Sequence, residues 1–383
     1  MDCSYFDAGV CRSCTLMGTP YEAQLATKQA SAAASLSQHV PARVWTHPFA
    51  SRESGFRNKA KLVVGGHPGA VTLGILDGTA HGVDLRECGL YEPGLQAVIP
   101  PLAELVDHLR LLPYDVRRAR GELKHVLLTH SGTGGTMVRF VLRSTAQLSR
   151  IRDVLPRIPE HLPDVRVVSA NLQPEHKAII EGPQEIVLTG ANSIPLDVAD
   201  VRLHLRPNTF FQTNTAVAQG LYEQARDWCA QVQPRVIWDL YCGVGGFALA
   251  LAAPDREVLG VEIAPEAIAS ARRSVRELPE GPGMIRFEVG DALDVIGQPG
   301  WPAADLVVLN PPRRGVGAEL CAELERRAPE TIIYSSCHPA SLARDLDLLA
   351  GYEVGAARLF DMFPQTTHCE VMLLLRRRPA SAV

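Results

Sequence analysis

After about residue 205 the chain settles into a regular alternation of short apolar runs and amphipathic stretches, a pattern that few folds accept. The runs at 236–240, 257–262, 285–289, 305–309, 332–336 and 371–375 read as strands buried on both faces, with helices between them. Such alternation implies a largely parallel, doubly wound sheet, in which ligands bind beyond the carboxyl ends of the strands. The last run, at 371–375, is expected to pair antiparallel. Upstream, the rhythm differs. An Ala- and Gln-rich helix over 21–39 precedes β-rich segments at 59–64, 123–128, 138–142, 166–170 and 185–188, interrupted by helices near 94–111 and 145–156. Residues 1–205 therefore read as an α+β domain with an antiparallel sheet, and residues 206–383 as a Rossmann-like α/β domain.

The first strand of the second domain runs straight into Asp239-Leu240-Tyr241-Cys242-Gly243-Val244-Gly245-Gly246. Glycines at that point let the backbone approach a ligand closely. Glu262 ends the second strand, about 20 residues on, where a carboxylate can accept hydrogen bonds from ribose hydroxyls. Asp291 and Asn310 end the next two strands, so all these groups converge on one sheet edge. The spacing of the glycines fits S-adenosylmethionine better than NAD, whose fingerprint places its third glycine later. Asn310-Pro311-Pro312 is followed by Arg313 and Arg314 rather than by an aromatic residue, which argues against an amino-group methylase. The two arginines read either as a solvated pair or as a phosphate or loop anchor. A thiol, Cys337, stands at the carboxyl end of the strand Tyr334-Ser335-Ser336. A nucleophile beside a methyl-donor site implies covalent catalysis on an unreactive ring carbon.

The bulk properties exclude little. A net charge of −4 does not advertise nucleic-acid binding, and no apolar run reaches the roughly 18 residues of a membrane span. The start of the chain carries no basic segment followed by an apolar one, so a cytoplasmic protein is expected. Nine cysteines, an odd number, argue against a disulfide framework. Three of them, Cys3, Cys11 and Cys14, crowd the beginning of the chain, and Cys88 follows after a long gap. Arg57, Lys59 and Lys61 alternate along one strand and so share a face, and Arg117, Arg118, Arg120 and Lys124 add a basic loop.

Over essentially its whole length the chain resembles the RNA uracil-C5 methyltransferase family, and within it the large-subunit ribosomal RNA branch. The resemblance rests on Cys3-x7-Cys11-x2-Cys14 with Cys88, Gly55-Phe56-Arg57-Asn58-Lys59 and Phe210-Phe211-Gln212-Thr213-Asn214. It continues through the loop 239–246, Asn310-Pro311-Pro312-Arg313-Arg314-Gly315, Ser335-Ser336-Cys337 and His368-Cys369-Glu370. It implies a methyltransferase that uses S-adenosylmethionine on a hairpin-loop uridine of 23S ribosomal RNA. Cys337 matches the family's nucleophile and Glu370 its general base. Gln212, Tyr241, Glu262 and Asn310 match its donor contacts, with Asp291 expected as a further one. Cys3, Cys11, Cys14 and Cys88 match the ligands of a [4Fe–4S] cluster, for which structural zinc is the alternative, since four thiolates suit either metal. The sequence departs from the family at Tyr241, more usually Phe, and at His338, commonly Asn. No membrane and no obligate protein partner is expected. Two other readings compete: a transfer-RNA uracil-C5 methyltransferase, a branch that generally lacks the four cysteines, and an iron–sulfur RNA-binding or redox-sensing protein with a degenerate enzyme domain.

Overall fold

The computed structural model describes residues 1–278, 283–298 and 300–379. It divides into two compact units, one comprising Met1–Cys14, Glu53–Leu196 and Leu205–Asn208, the other Thr15–Arg52, Asp197–His204 and Thr209–Val383.

The first unit is built on a seven-stranded sheet in the order β3-β2-β1-β4-β5-β6-β7. Its strands are β1 (Lys59–His67), β2 (Ala70–Leu76), β3 (Gly82–Asp84), β4 (Leu123–Ser131), β5 (Gly135–Leu142), β6 (Val165–Leu172) and β7 (Gln184–Val187). One face carries the alternate residues Leu62, Val64, Val126, Leu128, Val138, Phe140 and Val168, which form a core with the helix Pro93–His108. The sheet is not purely antiparallel: β5 and β6 run parallel, because the helical stretch Leu148–His161 carries the chain back across the sheet between them. A further two-stranded sheet, β8 (Ile194–Val198) and β9 (Val201–Leu205), turns through Ala199 and Asp200, both left-handed.

The second unit holds a seven-stranded sheet in the order β12-β11-β10-β13-β14-β16-β15. Its members are β10 (Val236–Leu240), β11 (Glu257–Glu262), β12 (Met284–Val289), β13 (Leu306–Leu309), β14 (Thr331–Ser336), β15 (Tyr352–Phe360) and β16 (Glu370–Arg377). β10 to β14 are parallel, and β16 runs antiparallel between β14 and β15. The expected doubly wound sheet is thus present, with seven strands where six apolar runs were read. Strand order reverses between β10 and β13, the switch point at which such sheets open a crevice for ligands. The helix Tyr21–Ser35 belongs to this unit. Its Leu25 and Ala32, with Leu36 and Val40, join the core formed by Trp238, Leu259, Val307, Tyr334 and Leu373. Among the described residues no helix is long and apolar enough to cross a membrane.

Candidate active site

Register aligns the functional residues before any ligand is considered. Leu240 pairs with Val261 and with Leu309, and Leu309 pairs with Tyr334, so the parallel strands end level with one another. Tyr241, Glu262, Asn310 and Cys337 therefore emerge along one edge. Ser336 pairs with Val371 across the antiparallel β14–β16 ladder, which sets Cys337 opposite Glu370. All seven residues expected to act on donor or substrate, Gln212, Tyr241, Glu262, Asp291, Asn310, Cys337 and Glu370, line a single cavity of about 530 Å³. That volume lies within the ordinary range for small-molecule sites.

The donor side is shaped by backbone. Tyr241 and Gly243 both take positive φ, 66° and 54°, which turns the chain sharply after β10. The glycine at 246 is demanded by space, since a Cβ there would stand 2.1 Å from the Tyr222 hydroxyl oxygen. Glu262 is held by two amides: Gly243 N–H donates to Oε2 at 3.2 Å and Ala264 N–H to Oε1 at 3.0 Å. Asp291 caps the short helix Ala292–Ile296, its Oδ1 accepting from Leu293 N–H at 2.9 Å. Beneath the loop, Asp239 is fully buried and accepts from Ala248 N–H at 2.8 Å. Burial raises its pKa to about 7.

The second unit holds five thiols, and their surroundings single out the nucleophile. Cys229, Cys242, Cys321 and Cys369 are buried, and burial raises the pKa of each, to about 12 for Cys321 and Cys369. Cys337 is only half-buried and faces the cavity. Burial and then the Glu370 charge raise its pKa, while Arg313 opposes both through its charge and a hydrogen bond to the sulfur. Arg313 is thus not merely one of a solvated pair, a contact invisible in the sequence because it depends on how the loop after β13 folds back. Asp345 fixes that loop. Its Oδ2 accepts from Val316 N–H at 2.9 Å and from the Tyr334 hydroxyl at 2.5 Å, and Oδ1 accepts from Gly317 N–H at 3.4 Å. Glu370 is 2% exposed and accepts from the Ser335 hydroxyl at 2.6 Å. Burial, partly offset by that hydrogen bond, raises its pKa to about 7. His338 caps the helix Pro339–Leu348 by accepting from Ser341 N–H at 3.2 Å. Phe210, 67% exposed, and Phe363 and His368 complete the rim.

The four cysteines expected as metal ligands share the first unit. Cys3, Cys11 and Cys88 lie near enough to Cys14 for their charges to raise its pKa, which burial chiefly pushes up to about 11. Among the described residues, however, no group of three or more His, Cys, Asp or Glu side chains converges in a geometry that could hold a metal ion. Arg57 sits beside Cys14 and Cys88, held there by Arg57 N–H donating to Leu90 O at 2.8 Å, and its Nε is buried with no hydrogen-bond partner. The basic strand face and loop seen in the sequence are only partly free of protein partners. Lys61 pairs with Glu181 at 3.4 Å, and Lys124 is buried against Gln173 Oε1 and Glu175 O. Burial lowers the Lys59 pKa to about 8. Arg117, Arg118 and Arg120 remain exposed.

Sequence comparison decides the family. Residues 184–278 and 302–378 match the model described as tRNA (Uracil-5-)-methyltransferase. A 23S rRNA (uracil(747)-C(5))-methyltransferase RlmC of Escherichia coli O127:H6 is 46% identical over 378 residues, 98% of this chain and 99% of its own. The chain belongs to the RNA uracil-C5 methyltransferase family. A second member, RlmC of Halothiobacillus neapolitanus, is 45% identical over 383 residues, 98% of this chain and all of its own. Among solved members of the uracil-C5 methyltransferases, the Pyrococcus abyssi tRNA (uracil-54, C5)-methyltransferase, crystallised with S-adenosyl-L-homocysteine, superposes with a TM-score of 0.76. It is 26% identical, and the match covers 94% of this chain and 85% of that one.

Proposed function

We propose that this chain methylates C5 of a uridine in 23S ribosomal RNA, using S-adenosylmethionine and a covalent adduct between Cys337 and C6 of the base. The observation that carries the reading is the antiparallel register of β14 and β16, which puts a partly exposed thiol and a buried carboxylate in the donor-lined cavity. Uracil C5 is a poor nucleophile. Addition of the Cys337 thiolate to C6 forms the C–S bond and moves the electron pair of the C5–C6 double bond toward C5 and the O4 carbonyl. C5 then takes the methyl group from the donor's sulfonium. Glu370 removes the proton from C5, and the returning electron pair re-forms the double bond and expels Cys337 as thiolate. Arg313 favours the thiolate at both ends of this cycle. A carboxyl pKa near 7 is matched to a proton that must be taken from carbon and then released to water. Glu262, Asp291, Asn310, Gln212 and Tyr241 would hold the donor, which supplies the methyl group when bound.

The four cysteines of the first unit, which do not by themselves converge on a metal-holding geometry, are proposed as ligands of a [4Fe–4S] cluster whose binding would draw them together. The desolvated, unpartnered Arg57 Nε beside Cys14 and Cys88 fits an anionic group there, as four thiolates around iron would be. The cluster would brace the first unit for RNA, because methyl transfer moves no electrons. A transfer-RNA substrate is the second reading, favoured by the archaeal enzyme's fold, but that enzyme is 26% identical against 46% for the ribosomal relative. A target uracil must leave its stack before a cavity can reach C6. The deciding experiment maps 5-methyluridine in RNA from cells with and without the gene. Loss confined to position 747 of 23S RNA is the expected result; loss at position 54 of transfer RNA would overturn it in favour of the second reading.

A further inference from the structure

Between β15 and β16 the chain runs through Asp361–Cys369 and delivers Glu370 to the cavity, with Phe363 and His368 of the same arm on its wall. Glu370 is the first residue of β16, paired with Phe360 of β15, and the irregular arm that leads into this strand end needs support of its own if the carboxylate is to be held to a fraction of an ångström. The arm is held here by a segment more than 300 residues away in sequence. Tyr21, Gln24 and Lys28 fall on one face of the helix Tyr21–Ser35, spaced three and four residues apart. Lys28 Nζ donates to Asp361 Oδ1 at 2.6 Å and to Phe363 O at 3.0 Å. The Tyr21 hydroxyl donates to Asp361 Oδ2 at 2.9 Å and accepts from Ser51 N–H at 2.7 Å. Gln24 grips Gln365, a left-handed residue with φ 66°, from both directions: Gln24 Nε2 donates to Gln365 Oε1 at 2.9 Å, and Gln365 N–H donates to Gln24 Oε1 at 3.1 Å. Leu16 N–H donates to Gln365 O at 3.0 Å.

Two properties separate this from ordinary packing. The Lys28 and Asp361 side chains are 2% and 0% exposed, an ion pair that an apolar pair could replace at little or no cost to stability. What such a pair adds is a single allowed arrangement, and the arrangement it fixes is that of the arm. The bonds also fall on the turn itself, at 361, 363 and 365, rather than on either flanking strand.

We propose that Tyr21, Gln24 and Lys28 are positioning residues for the proton-abstraction step, a brace that sets the arm leading into Glu370 at the start of β16. The inference rests on Glu370 being the general base. It locates the effect in one step: with the brace loosened, thiol addition and methyl transfer proceed, and removal of the C5 proton slows.

The test uses the full-length protein with two independent variants, Gln24→Ala and the double change Lys28→Met with Asp361→Asn, which removes both charges and strands neither. Donor affinity by calorimetry, thermal melting, turnover on a 23S hairpin RNA, and the fraction of protein in an RNA adduct that survives denaturing electrophoresis are measured for each. A displacement near 1 Å at a reacting group costs up to about a hundredfold in rate. The expected result is turnover lowered roughly tenfold or more, donor affinity within about twofold of wild type, and methylated adduct accumulating during turnover. A purely structural role would lower melting temperature, donor affinity and methyl transfer together, with no adduct, and would overturn the proposal. So would wild-type turnover in folded variants. Glu370→Gln run alongside separates the two readings. Adduct there but none in the brace variants removes the brace and leaves the base standing; no adduct in Glu370→Gln removes the base and, with it, the brace that rests on it.

Discussion

At the scale of single residues the site is a set of conflicts between burial and charge. Glu370 is nearly inaccessible yet must ionise, and burial raises its pKa to about 7. As the base it acts deprotonated, so turnover should be lost as pH falls through about 7 and should rise between pH 6 and 8 as the carboxylate forms. A rate that stays flat from pH 5.5 to 8, measured with donor saturating, would contradict this. Stability carries the opposite sign. The folded-state pKa lies above the ordinary value, so the stability this carboxyl contributes is fully present below the unfolded pKa and lost as pH rises through about 7. Glu370→Gln should therefore be more stable than wild type at pH 8 by about 1–3 kcal/mol, the gap closing near pH 4, as chemical denaturation at both pH values can show. Glu262 offers a further residue-level test. With its oxygens aligned by the Gly243 and Ala264 amides, Glu262→Ala should weaken S-adenosylmethionine binding by about 1.5–3 kcal/mol, read by calorimetry.

Among elements, what could be read from sequence and what could not divide along physical lines. The central parallel strands β10, β11, β13 and β14 announce themselves because burial on both faces leaves largely apolar runs, whereas the edge strand β12 is mostly exposed or half-buried. The central strands' ends mark Glu262, Asn310 and Cys337 without further information. The strand Tyr352–Phe360 does not, since Gly355-Ala356-Ala357 has weak strand propensity and a register shift lies between Val354 and Ala356. β2 and β3 escape because Gly74, Gly78 and Gly82 break up a short run that still forms a ladder once β1 supplies the template. The parallel pairing of β5 with β6 depends on the path of the intervening helices, which no local pattern encodes. The placement of Asp345 is legible only in three dimensions. It ties the loop 313–317 to the Tyr334 hydroxyl three residues before Cys337, and removing it strands two amides and a hydroxyl. Asp345→Ala should cost about 2–3 kcal/mol in stability and slow adduct formation, because Arg313 loses its purchase on the thiol; unchanged adduct kinetics in the folded variant would show the loop to be fixed by other contacts.

At the scale of the whole molecule, the proposed metal cluster belongs to one unit and the chemistry to the other. Protein purified anaerobically should carry about four iron atoms per chain, and Cys11→Ser should bleach it and lower the melting of the first unit more than that of the methyl-donor unit. Stoichiometric zinc without iron would replace the cluster by a structural zinc site and leave the catalytic reading untouched.

That catalytic reading stands or falls on the covalent cycle, which denaturing electrophoresis of protein with labelled 23S hairpin RNA and S-adenosylmethionine follows directly. Cys337→Ala should bind both substrates and form no adduct, because addition at C6 cannot begin. Glu370→Gln should add and methylate, then stall, leaving 5-methylated RNA bonded to Cys337. Near-normal turnover in Cys337→Ala, or normal turnover in Glu370→Gln with no trapped RNA, would contradict the account.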